Sequence, residues 1–364
     1  VFVPFVVAII MLLGYDKLVA ISSTIVSMLV GFIGGIFITF RDPNSYYGYS
    51  ATTIEKLTGV TGNSMLYARL VLLVFGTALL IFFINRYIKN LEEKKVKYEL
   101  NESSEVVVSE VKGDYKNIKT WPMIVMLSVI LVILVLGYLP WNTLFNIDCF
   151  SKFNEWLLGL KIGEFSIFSN VVSSNVYAFG EWASLGSYMS VIITLIIFTL
   201  ITKFVYKIKF NEVIGNFVAG SKKMIGIVFL VVLTFDILVC TYNHSFMSTI
   251  ITWISESAVG LNVVTAGAIS AIGSLLHTDL YYAIAGVYSP MISLVEDESM
   301  LATYAMTFQS IYGIVSIIGP TSFLLIVALK YFDVPYTSWV KYIWRFVLML
   351  LLLVILVLLV MALI

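Results

Sequence analysis

Charge is what this sequence has least of. Asp, Glu, Lys and Arg make up only 12% of its 364 residues, while 60% are hydrophobic. Soluble domains carry about twice that share of charge. The deficit excludes a soluble enzyme, a disordered tail and a coiled coil. The 22 basic and 22 acidic residues cancel, so no excess of positive charge speaks for nucleic acid. Cysteine is nearly missing: Cys149 and Cys240 stand far apart without ligand-like neighbours, which excludes a disulfide scaffold and a zinc site. No HExxH, GxSxG or P-loop pattern occurs, so the sequence names no catalytic residue, metal or cofactor. An initial Met is missing too. The chain opens on Val1 in a short apolar run with neither the basic start nor the cleavage site of a signal peptide, and it reads as a fragment that begins inside a transmembrane segment.

What is present is a series of long apolar windows. Residues 18–40, 65–84, 121–139, 183–201, 224–240, 257–278 and 346–364 each have the length and low charge of a membrane helix. They do not alternate as barrel strands would. The fold class is therefore all-α, a polytopic transmembrane helical bundle, in a cell membrane. Its organisation divides into N-terminal helices (1–84), a loop mixing eight bases with seven acids (85–120), and C-terminal helices (121–364). Basic residues concentrate in 85–120, 202–223 and 330–345, which the positive-inside rule places in the cytoplasm; 140–182, with only Lys152 and Lys161, falls outside.

One window is too long. Residues 299–329 hold no charge over 31 residues, and one helix of that length would reach about 46 Å, beyond a hydrocarbon core of about 30 Å. Gly319 and Pro320 interrupt it. Two solutions stand open: a re-entrant hairpin broken at Gly319-Pro320-Thr321-Ser322, or a tilted helix with a proline kink. In the first, a half-helix starting inside the membrane aims unpaired N–H groups at a carboxylate, and Gln309 on the other limb supplies amide contacts. Substrate-binding candidates are thus Gln309, Gly319, Pro320, Thr321 and Ser322.

Between Lys223 and Lys330 there is no Lys or Arg, yet Asp236, Asp279 and both histidines lie there. Intramembrane acids without local counter-ions point to a mobile cation. Asp236 sits about 18 Å into its helix, near the midplane, followed by Asn243 and His244. It reads as a proton- or ion-linked carboxylate, or as an interhelical polar contact. His277-Thr278-Asp279 reads as a proton relay or, preferred on the tyrosines that follow, as a helix end at the interface. The ion-coupling candidates are Asp236, Asn243, His244, His277 and Asp279.

Three stretches carry a resemblance: PFVVAIIMLLGYDKLVAISSTIVSMLVGFIGGIF, the span exit RYIKNLEEKK, and IIGPTSFLLIVALKYFDVPYTSWVKYIWRF. In them the chain resembles the C4-dicarboxylate anaerobic carrier-like family, the YfcC/DcuC-like group of the ion transporter superfamily. The resemblance implies a substrate site between hairpin tips of two repeats, with Pro320, Thr321 and Ser322 at one tip and the matching hairpin in an absent N-terminal part. The chain departs from the family where His-Thr-Asp at 277–279 replaces small hydroxylated residues. The expectation is a secondary active transporter of a small carboxylate or amino acid, coupled to H+ or Na+ or acting by exchange. A homodimer is compatible with the superfamily. The competing readings are a non-transporting scaffold and an intramembrane hydrolase using His277 and Asp279.

Overall fold

The structure is a computed structural model. It describes residues 3, 6–7, 10–11, 14–35, 39–42, 50–53, 60, 65–94, 121–139, 141, 145–168, 177–182, 187–244, 246–257, 260–295 and 297–363. Most of the charged loop 85–120 lies outside the described residues. The helices are α1 (Lys17–Ile33), α2 (Leu66–Lys94), α3 (Trp121–Tyr138), α4 (Cys149–Leu158), α5 (Ser187–Val205) and α6 (Phe210–Asn243). Then come α7 (Met247–Ser257), α8 (Val263–Leu276), α9 (Leu280–Ile292), α10 (Leu301–Ile318), α11 (Phe323–Tyr331) and α12 (Tyr336–Leu363). Strand is confined, among the described residues, to two short pairs, β1 (Thr39–Asp42) with β2 (Ser50–Thr53) and β3 (Lys161–Ile162) with β4 (Phe165–Ser166). The all-α membrane bundle read from composition is what the chain forms: among the described residues five helical stretches are long and apolar enough to cross a bilayer.

The chain forms two compact units, one from 1–40, 53–111 and 223–364, the other from 41–52 and 112–222. In the first, α1, α2, α10, α11 and α12 share a core built on Ile33, Leu72, Ile317, Trp339, Phe346 and Leu350. A second core joins α7 to α10 through Met247, Ile269, Val287, Tyr288 and Phe308. α1 begins at Asp16, whose carboxylate accepts from Val19 N at 2.8 Å and from Tyr87 Oη at 2.9 Å. That cap ties the start of α1 to the end of α2.

The apolar window 257–278 does not form one span. α7 stops at Ser257, and α8 starts at Asn262, which closes a capping box with Thr265. α8 has 14 residues, about 21 Å, which is short of a crossing. The chain turns at 277–279 and returns as α9. Gly273 packs against the Val287 side chain and Gly286 against the His277 ring, so α8 and α9 lie antiparallel and in close contact. His277-Thr278-Asp279 is therefore the tip of a hairpin, with His277 at the end of α8 and Asp279 at the cap of α9. A Cβ at Gly273 would overlap Val287. Gly273→Ala is expected to lower stability by about 1–3 kcal/mol, and Val287→Ala in the same chain to recover part of it, as read by thermal unfolding in detergent.

The 299–329 window breaks where expected. α10 ends at Ile318 and α11 starts at Phe323. Had α11 continued α10, Tyr331 would lie about 20 Å beyond Ile318. Instead Tyr336 Oη donates to Ile318 O at 2.6 Å and Trp339 Nε1 to Ile317 O at 3.0 Å, so 319–335 leaves and returns. Ser322 Oγ donates to Ser316 O at 2.7 Å, and Gly319 N to Val315 O at 2.6 Å. All four terminal carbonyls of α10 are satisfied, which is what lets a helix end inside an apolar medium.

Candidate functional site

Five segments of the first unit converge on a cavity of about 620 Å³. They are the end of α1 (Met28 to Gly35), one face of α6 (Thr234, Phe235, Leu238), the α8–α9 tip (Thr278, Asp279, Leu280), Tyr312 and Ser316 of α10, and the start of α11 (Ser322, Phe323, Leu324). The walls are mostly apolar. The polar groups are few and lie at element ends, as in small-ligand sites generally. Asp279 is the one acid among the lining residues, and none of them is basic.

Each wall has a local cause. Asp279 caps α9, its Oδ1 accepting from Tyr281 N at 3.0 Å and Tyr282 N at 3.3 Å. One carboxylate oxygen is thereby committed to the backbone. Tyr312 Oη donates to Thr278 O at 2.7 Å, which pins the tip to α10. Thr278 Oγ1 is buried and has no hydrogen-bond partner. At α11 the cap residue Ser322 makes no side-chain bond to its own helix, because its hydroxyl goes to Ser316 O. Phe323 and Leu324, the first residues of α11, line the cavity at the positive end of a helix whose cap residue makes no side-chain bond to it.

The opposite wall is held by a clamp. α1 ends at Gly34 and Gly35, where a Cβ on Gly34 would overlap Leu73 of α2. Gln309 Nε2 donates to Phe32 O at 2.6 Å and Gly35 O at 3.0 Å. Arg69, 4% exposed, donates through Nη1 to Gly35 O at 2.7 Å and to Gln309 Oε1 at 2.6 Å. A cation at the negative end of α1 offsets its own burial.

Of the sequence candidates, Ser322 and Asp279 reach the cavity. Gln309 is engaged in the clamp through both ends of its amide and is not among the lining residues. Gly319, Pro320 and Thr321 build the turn ahead of α11 and lie off the lining, with Pro320 and Thr321 exposed. His277 is 1% exposed, its Nδ1 is without a partner, and it sits behind the tip against Gly286. Asp236, Asn243 and His244 are exposed, and α6 turns Thr234, Phe235 and Leu238 to the cavity instead. Sequence reasoning missed Arg69, Phe32, Tyr312 and Ser316. The spacing of Tyr312 and Ser316, one helical turn apart, and the lone Arg69 near the start of a span were the available signals.

A family model described as C4-dicarboxylate anaerobic carrier matches residues 1–363. No curated protein matches the chain, and neither does any solved structure.

Proposed function

The chain belongs to the C4-dicarboxylate anaerobic carrier family, a family of membrane transporters, and from that premise we propose that it is a secondary active carrier of a small carboxylate in the cell membrane, coupled to H+ or Na+. One observation carries the reading: a single cavity is lined by the uncapped start of α11 and by the carboxylate of Asp279.

The two groups have opposite uses. The N–H groups of Phe323 and Leu324, with the helix dipole behind them, receive a substrate carboxylate. Asp279 repels the same substrate while ionised. Two like charges about 6 Å apart at an effective dielectric of about 20 cost about 3 kcal/mol, or roughly a hundredfold in affinity. A proton or sodium ion at Asp279 removes that cost, so substrate and cation favour each other's binding. This reciprocity is what coupling requires. Transport needs no bond-making group, in keeping with the absence of catalytic motifs from the sequence.

The test is uptake of labelled C4-dicarboxylates and amino acids into liposomes holding the purified protein, under imposed pH and Na+ gradients. Saturable, gradient-driven uptake of a carboxylate is the expected result; no uptake of any candidate by well-folded protein would sink the proposal. The α11 end has its own probe. Phe323→Pro removes one N–H at the helix position that tolerates proline best, after a Ser322 whose backbone is already extended. Relative to Phe323→Ala, it is expected to raise the KM of the carboxylate about 10- to 100-fold, the worth of one hydrogen bond to a charged group. Equal KM values in the two variants would move the carboxylate away from α11.

A further inference from the structure

The second unit carries a surface that the carrier reading does not use. α3 and α5 are antiparallel neighbours: Thr202 Oγ1 reaches Met126 Sδ near one end, and Trp182 N donates to Gly137 O at the other. α3 is long and apolar enough to cross and α5 runs back beside it, so the end of α3 and the start of α5 lie at the same membrane face. The scarcity of Lys and Arg in 140–182 makes it the non-cytoplasmic one.

A chain of rings marks that level. Tyr138, Trp182, Phe179, Phe150, Trp141 and Phe145 follow one another with centroids 5.4 to 6.2 Å apart. Trp141 Nε1 and Trp182 Nε1 donate to Leu136 O and Tyr177 O, so the polar ends of both indoles are satisfied. α4 meets this chain of rings through Phe150, and its Ser151 Oγ donates to Glu181 Oε1 at 3.4 Å. At 100° per residue, Cys149, Phe150, Phe153, Trp156 and Leu157 share an arc of about 120°, while Ser151, Lys152 and Glu155 take the other side. No residue of α4 is buried, and Phe153 and Trp156 are 58% and 59% exposed. In the β3–β4 hairpin that follows, Ile162 and Phe165 are 73% and 52% exposed.

We propose that α4 and the β3–β4 hairpin lie in the plane of the membrane's non-cytoplasmic interface, with Phe153, Trp156, Ile162 and Phe165 seated at the boundary between lipid headgroups and acyl chains. The partner is the bilayer itself. Exposed rings on one arc of a short helix that follows the end of a crossing helix suit the depth where such rings partition. Residues 140–182 hold two bases and four acids (Asp148, Glu155, Glu164 and Glu181), so attachment rests on ring burial and not on attraction to anionic lipid.

Both cysteines are exposed, and serine at each gives a background for single nitroxide labels. Labels at Phe153→Cys, Trp156→Cys, Lys152→Cys and Glu155→Cys would be compared in liposomes by power saturation with oxygen and with a water-soluble nickel chelate. Positions 153 and 156 are expected to be reached by oxygen and shielded from nickel, positions 152 and 155 the reverse, with no change as anionic lipid is added. Four equally aqueous positions would overturn the proposal. So would exclusion of both reagents at 153 and 156, which would mean protein cover such as a second copy of the chain. A photoactivatable phospholipid on the unmutated protein provides the second reading. Label on the peptide holding Phe153 and Trp156 is expected, and its absence beside labelled α3 would also overturn the proposal.

Discussion

Arg69→Met is expected to yield a protein that neither folds stably nor transports. Arg69 is buried between α1, α2 and α10, and its Nη1 bonds both Gly35 O and Gln309 Oε1. Removing it takes one of two donors from the carbonyl at the end of α1 and leaves the Gln309 amide oxygen without the guanidinium that it faces. Breaking a buried charged partnership of this kind costs about 3–5 kcal/mol, a large part of the stability of most domains. Arg69→Lys is expected to rescue little, since the shorter side chain must bring its ammonium to the two acceptors that the guanidinium Nη1 reaches. The measurement is thermal unfolding in detergent for Arg69→Met, Gln309→Leu and the double variant. If the clamp acts as a unit, the double variant loses much less than the sum of the singles. Additive losses would mean that the two residues act separately.

Asp279→Asn is expected to keep the fold and lose the coupling. An Asn Oδ1 accepts from the N–H groups of Tyr281 and Tyr282 as the Asp does, so the cap of α9 survives. The charge facing the cavity is gone. Exchange of internal for external substrate should therefore continue, while accumulation driven by a pH or Na+ gradient falls to the level of simple equilibration. Asp236→Asn is the comparison. Loss of gradient-driven uptake there, with Asp279→Asn unaffected, would move the coupling group to α6 and overturn the role proposed for Asp279.

Composition and window length were enough for the class of fold. Removing some 20 apolar residues from water leaves a backbone few options besides a helix, and that holds whatever the neighbours are. The break at Gly319-Pro320 was legible for the same reason: a 31-residue apolar run exceeds the membrane, and glycine followed by proline is where a helix ends at least cost. The family was legible too, in the stretches around Gly14-Tyr15-Asp16 and Gly319-Pro320-Thr321-Ser322.

Which side chains face one another was not legible. The window 257–278 looked like a span because hydropathy does not register the Asn262 capping box or the contact of Gly273 with Val287 that folds α8 back on α9. Gln309 looked like a ligand because an amide in an apolar helix needs a partner, and its partners, Phe32 O and Gly35 O, lie 277 and 274 residues away in the chain. Asp236 looked central by depth, yet one turn of α6 presents Phe235 and Leu238 to the cavity in its place. The sequence alone determined how much apolar length the chain has to bury and where its over-long apolar run must break. Tertiary structure alone decided which of the few polar groups meet in one cavity, because in a membrane each such group bonds to whatever the packing brings within about 3 Å, however distant in sequence.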